Sequence, residues 1–206
     1  MKYQQLQGEL KDFAVFSLVD IRKIDPTFYR HQLNEWQNKG YIKKLRRGYY
    51  MFADLPLSEE VLFLIANRLY PPSYVSFEMA LSYYGLIPEG VYSITSASSK
   101  KTASFKSPVT EFSYQQIKAE YFFGYRLETK NGYTYKIAEI EKAVLDYVYL
   151  HPNIIKPEDF YEWRFNSEEF LEKADIKKFR KYAMVYTSRG FLRRTEDLIS
   201  LIKQSK

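Results

Sequence analysis

Residues 16–52 read FSLVDIRKIDPTFYRHQLNEWQNKGYIKKLRRGYYMF, and this stretch decides how the chain begins. Ser17 can cap a short helix over residues 18–24, with Asp20 at its third position, where an acid suits the helix dipole. Asp25-Pro26 breaks the chain, and both residues suit a new helix start, Asp25 as cap and Pro26 in the first turn. The second helix is expected over residues 26–39, ending at Gly40. At about 100° per residue, Tyr29, Leu33 and Trp36 share an apolar face. The opposite face carries Thr27, His31, Asn34 and Asn38, with Arg30 on its flank. Residues 41–45 then read as a strand, Arg46-Arg47-Gly48 as a turn and residues 49–52 as the returning strand.

A β-hairpin directly after the second helix of a helix–turn–helix is the order of a winged helix. That order gives each polar group a candidate task. Thr27, Arg30, His31 and Asn34 would enter the major groove of double-stranded DNA, where Asn and Arg can read base edges. Lys43, Lys44, Arg46 and Arg47 would hold the flanking backbone or the minor groove. These eight residues are the candidate DNA-binding set. A palindromic site read by one winged helix per half-site would call for two copies, so cooperative dimerisation on DNA fits this reading.

Working outward, the charge is concentrated in this stretch. The whole chain of 206 residues has net charge +6, and residues 21–51 alone hold 8 basic against 2 acidic side chains. Residues 1–55 are net +4, residues 56–150 net −1 and residues 151–206 net +3. Such concentration suits a polyanion partner, although a solvated basic surface has the same composition.

The remainder reads as a second unit. Residues 54–58 (DLPLS) form the boundary between a domain of residues 1–55 and one of residues 56–206. Ser58 can cap a helix to about Leu69, and residues 73–84 read as another helix closed by Gly85. Eight of the fifteen residues from 93 to 107 are Ser or Thr, punctuated by Ile94, Ala97 and Phe105, so exposed antiparallel strands are expected there. Asn131-Gly132 between two strand-like runs is a strong hairpin signal. Residues 140–150 return to helix, and residues 157–164, 167–173, 176–186 and 189–203 make a helical tail. Phe191, Leu192, Thr195, Leu198, Ile199 and Ile202 form a wide stripe on the last helix, read as packing within the chain. The fold class is therefore α+β: an N-terminal winged helix-turn-helix, a mixed α/β part over residues 56–150 with antiparallel strands, and a helical part over residues 151–206.

Most enzyme classes find no support. Cysteine is absent and His31 and His151 are the only histidines, which leaves no thiolate nucleophile and no Cys- or His-rich metal site. Neither GxGxxG, GxxxxGK nor GxSxG occurs. Pro88-Glu89 with Glu128-Thr129-Lys130 loosely resembles a Mg²⁺-dependent nuclease pattern, but Glu128 and Lys130 read more simply as surface charges on a hairpin strand. No run is long and apolar enough for a membrane span, and the N-terminus lacks the apolar core of a secretion signal. The expectation is a cytoplasmic, non-enzymatic protein without metal or cofactor.

Three blocks resemble the AbiEi-type antitoxins. The first is Phe16-Ser17, residues 33–42 (LNEWQNKGYI) and residues 45–50 (LRRGYY). The second is residues 73–81 (SYVSFEMAL) followed by residues 84–87 (YGLI), and the third is Gly132 with residues 137–146 (IAEIEKAVLD). The resemblance covers residues 10–150. It implies a type IV toxin–antitoxin system of the abortive-infection, phage-defence kind. The winged helix would repress its own operon through inverted repeats in the promoter. The C-terminal domain would counter an AbiEii-type nucleotidyltransferase toxin without forming a stable complex with it. Two other readings stay open: a winged-helix transcription factor whose second domain senses a ligand or dimerises, and a Mg²⁺-dependent nuclease.

Overall fold

The computed structural model describes residues 1–88, 90, 92–154, 159 and 163–204. The chain is α+β, as expected. It starts with α1 (Tyr3–Leu10), which the sequence reading did not anticipate, and β1 (Phe16–Ser17). Then come α2 (Leu18–Ile24), α3 (His31–Asn38), β2 (Ile42–Arg46) and β3 (Tyr49–Phe52). The three strands form an antiparallel sheet in the order β1-β3-β2. The expected cap of α2 is present and reciprocal. The Ser17 amide and hydroxyl donate to Asp20 Oδ2 at 2.8 and 2.7 Å, and the Asp20 amide donates back to Ser17 Oγ.

This small sheet is buried on both faces. Phe16, Ile42, Tyr50 and Phe52 join Leu6, Leu10, Ile21, Phe28, Leu33 and Trp36 in one core beneath the N-terminal helices. Val15, Leu45 and Met51 instead belong to the larger core of the rest of the chain. Leu45 shares the Lys43 face of β2 by strand alternation; the register moves between Lys44 and Arg46, leaving Leu45 as the extra residue of a bulge and bringing Arg46 opposite Tyr49. The sequence division at residue 55 falls in the link between β3 and α4, yet apolar packing runs across it.

The second unit begins with α4 (Glu59–Leu69), capped by Ser58 as expected. It continues through β4 (Ser73–Val75), α5 (Phe77–Tyr83), β5 (Ser93–Ser98), β6 (Ala103–Lys106), β7 (Glu111–Gln116), β8 (Tyr125–Lys130) and β9 (Tyr133–Ala138). The sheet order among the described residues is β6-β7-β5-β4-β9-β8. Two expectations need correction here. Residues 73–84 are not one helix: β4 fills the slot between β5 and β9, and α5 starts only at Phe77, which takes φ 57°. The Ser/Thr-rich strands are neither all exposed nor all antiparallel. β5 lies inside the sheet with Ile94, Ser96, Ala97 and Ser98 buried, and it pairs in parallel with β7, as β4 does with β9. The β8–β9 hairpin does form at Asn131-Gly132, with φ of 52° and 82°, the positive values a two-residue turn of this kind requires.

The helical tail comprises α6 (Ile140–Leu150), α7 (Ser167–Lys173), α8 (Ile176–Ala183) and α9 (Arg189–Gln204). The helix expected over residues 157–164 falls mostly outside the described residues. The stripe on α9 packs within the chain: Phe191, Thr195, Leu198, Ile199 and Ile202 are buried in the large core and Leu192 lies against it. No helix among the described residues is long and apolar enough to cross a membrane.

Candidate nucleic-acid interface

The connection between α2 and α3 differs from the expected helix start. Asp25 does not cap a helix at Pro26. Its carboxylate accepts the amide and hydroxyl of Thr27 at 3.0 and 2.6 Å and faces the N-terminal ammonium at 3.2 Å. The Thr27 hydroxyl and the ammonium together hold the Asp25 carboxyl below its ordinary range. A side chain tied to the amide two residues on closes a local turn and delays the helix. The helix therefore starts at His31, and Phe28 rather than Tyr29 fills the core, its ring 5.4 Å from that of Trp36. Tyr29, expected on the apolar face, is 69% exposed.

The eight candidate residues consequently sort into three places. Thr27 lies in the turn before α3, Arg30 occupies the position just before its first residue, and His31 and Asn34 lie on its exposed side. His31 Nε2 approaches Glu35 Oε1 at 3.8 Å, also in solvent. Lys44 and Arg47 are exposed on the hairpin, with Gly48 completing the turn at φ 87°, where other residues are strained. Lys43 is half-buried and opposite Met51, so it lies on the sheet face turned toward the second unit.

Arg46 departs from its expected role. Its guanidinium lies 4.4 Å from the centre of the Phe105 ring on β6 and 5.2 Å from that of Tyr49. Its Nη1 is buried without a hydrogen-bond partner among the described residues. The group that reads from sequence as the hairpin's first phosphate contact instead fastens the hairpin to the second unit through a cation–π contact.

Pairing separates this surface from a cleft of the second unit. Among the described residues, Arg30, Lys43, Lys44 and Arg47 have no acidic partner within ion-pair distance, whereas the cleft shows the opposite. That cleft, about 610 Å³, lies where α4, α5, β8 and α6 meet the tail helices and is lined by Arg126, Lys130, Lys173 and Lys178. Arg126 pairs with Glu128 at 2.8 Å, Lys130 with Glu60 at 2.9 Å and Lys178 with Glu139 at 3.0 Å, and Lys173 pairs with Glu169. Glu128 and Lys130, the nuclease candidates, are thus occupied with separate partners, while Glu89 lies outside the described residues. No group of three or more possible metal ligands occurs among the described residues. On α9, Arg194 is not a solvated side chain, since its Nη1 donates to the carbonyls of Val148, His151 and Ile154 at 3.0, 2.8 and 3.3 Å. It satisfies backbone acceptors at and beyond the end of α6.

A polar cluster inside the second unit escaped the sequence reading. Lys142 and Asp146, one turn apart on α6, form an ion pair with no exposed surface. Asp146 Oδ2 also accepts the hydroxyls of Tyr74 and Ser76, both at 2.8 Å, and Lys142 Nζ lies 3.0 Å from the Tyr186 hydroxyl. Burial pushes the Lys142 ammonium below its ordinary range while Asp146 opposes that shift, and burial pushes the Tyr74 and Tyr186 hydroxyls up. A Lys and an Asp four apart in the largely apolar IEKAVLDYVYL were the available signal. Two of the three sequence blocks, residues 73–81 and 137–146, meet in this cluster. It ties β4, α6 and the loop after α8 together.

No family model and no curated protein matches the sequence.

Proposed function

We propose that this chain is a cytoplasmic transcriptional regulator that binds double-stranded DNA through an N-terminal winged helix-turn-helix. The observation that carries the reading is the group of exposed cations without an acidic partner among the described residues that flank α3 and sit on the β2–β3 hairpin, Arg30, Lys44 and Arg47. Asn34 on α3 suits a bidentate contact to an adenine edge, and Arg30 suits guanine or phosphate. Lys43, Lys44 and Arg47 supply sequence-independent backbone contacts, and Thr27 sits where it can reach the backbone beside the helix. Arg46 belongs to the scaffold in this reading.

The sequence blocks extend the proposal to an autorepressing antitoxin that acts against a nucleotidyltransferase-type toxin. That extension rests on the resemblance alone. The two parts are tested separately. Fluorescence anisotropy of the full chain on a duplex from its own promoter, against a mixed-sequence duplex, should show tighter promoter binding that weakens steeply between roughly 50 and 200 mM salt. Absence of binding to either duplex at low salt would overturn the DNA reading. Growth rescue from the toxin encoded beside it should be measured with the full chain carrying Asn34→Ala and Arg47→Ala. The complete chain is needed because Val15, Leu45 and Met51 supply part of the large core. Rescue by this variant supports an antitoxin activity independent of DNA, and failure of the wild type to rescue removes that activity.

A further inference from the structure

We propose that the DNA contact continues past the hairpin onto the second unit, where Lys100, Lys101 and Lys106 hold backbone phosphates flanking the site read by α3. The inference rests on the DNA-binding reading above and adds a second binding surface to it.

Three observations lead there. The first is position. Arg46 over the Phe105 ring, at 4.4 Å, sets β6 beside the hairpin, and Lys106, the next residue on that strand, projects from its other, exposed face. β6 is the outer strand of its sheet, and Lys100 and Lys101 lie in the turn that leads into it. The second is charge. Residues 92–110 contain three lysines and no Asp or Glu. The other residues of 56–150 hold 6 basic against 10 acidic side chains, so the basic part of this segment is the part beside the hairpin. All three lysines are exposed, and none has an acid within ion-pair distance among the described residues. Lys106 faces Glu111 across the β6–β7 ladder, but the Glu111 carboxylate accepts the Ser104 hydroxyl at 2.7 Å instead.

The third observation is that the backbone carrying these lysines is held in place. The Tyr70 hydroxyl donates to the Lys101 carbonyl at 2.9 Å, and the Lys100 amide donates to Ser98 Oγ at 3.1 Å. Phe105 packs against Tyr70 and Tyr114, whose own hydroxyl donates to the Ala66 carbonyl at 2.8 Å. A preorganised cationic edge loses little entropy on meeting a phosphate backbone. Lysines on an edge strand also deter sheet-to-sheet pairing, and that role alone would leave DNA binding untouched.

The test uses the full chain and a mixed-sequence duplex of about three helical turns, with log K measured against log salt. Lys100→Gln/Lys101→Gln/Lys106→Gln should make the slope shallower by about 2 to 3, near 0.9 per lost phosphate contact. The corresponding triple Lys→Arg chain should keep the wild-type slope, which separates lost charge from a disturbed edge. On a duplex of about one turn the Gln variant should bind like wild type. An unchanged slope in the triple Gln variant, with Arg47→Ala still lowering it by about 1, would overturn this inference and leave the DNA reading intact. A wild-type chain that binds neither duplex would overturn both.

Discussion

The N-terminal hairpin region and the tail side of the second unit are both rich in basic residues, and several of those residues are used differently. Residues 21–51 are net +6 and residues 151–206 net +3. In the tail, Arg180 forms a bidentate pair with Glu196 at 2.9 and 2.8 Å, Lys178 bridges Glu139 and Glu141, and Arg194 is spent on backbone carbonyls. Around α3 and the hairpin, Arg30, Lys44 and Arg47 reach solvent without an acid beside them. Net charge by segment therefore says little about where a polyanion would bind. An exposed cation whose field is not cancelled within a few ångströms is the one that can release counterions from a nucleic acid.

The sharpest way to break this comparison is to remove one partner of the most deeply buried pair. Asp146→Ala leaves the Lys142 ammonium and two hydroxyls unanswered in the core and should cost about 3–5 kcal/mol in urea unfolding. Its remaining folded fraction should keep the DNA salt slope of the wild type. A loss below about 1 kcal/mol would mean that water or a shifted side chain replaces the carboxylate.

On the unpaired side, Asn34→Ala should cost about 1–3 kcal/mol on promoter DNA and nothing on mixed-sequence DNA. Equal losses on both would reduce Asn34 to a residue that positions the helix. Arg46 joins the two regions. Arg46→Ala should lower stability by about 0.5–2 kcal/mol through the lost ring contact, with the salt slope unchanged. Arg46→Ala together with Arg47→Ala should then reduce the slope by about 1, the share of Arg47 alone, where sequence reasoning expects about 2.

The smallest effect concerns Glu60 and acid. The Ser58 hydroxyl and then the Lys130 ammonium hold its carboxyl down to about 2, from an ordinary value of 4.5. A depressed acid contributes stability that is complete above 4.5 and is lost as pH falls through about 2. Glu60→Gln should flatten the acid limb of the stability curve in that window, followed by thermal melting at stepped pH. An unaltered limb would show that the acid sensitivity resides in other carboxylates.

Much of this architecture was legible because its signals are local. Ser17 with Asp20, Ser58 before an apolar stripe, and Asn131-Gly132 each satisfy or free backbone groups within a few residues, so caps and turns fall where the sequence places them. The helix Ser167–Lys173, capped by Asn166, matches for the same reason, while Ile140–Leu150 follows its apolar run. The start of α3 was misplaced because Asp25 has two local options, and its bonds to Thr27 and the chain's own N-terminus select the turn over the cap. Residues 73–75 looked helical beside residues 77–83. Only their neighbours β5 and β9, tens of residues away, make them a strand.

For the candidate interface, the sequence by itself determined the residue types, their order and their concentration in one basic helix–hairpin segment, because composition and short-range spacing are written along the chain. The tertiary structure decided which of those cations remain free. It turned Arg46 onto Phe105, buried the second face of the hairpin through Val15, Leu45 and Met51, and brought an acid-free edge of the second sheet alongside. Such outcomes depend on which side chains meet across long separations, where packing and ion pairing compete for the same groups. The run Tyr49-Tyr50-Met51-Phe52 held the one hint, since a strand apolar on both faces must be covered on both.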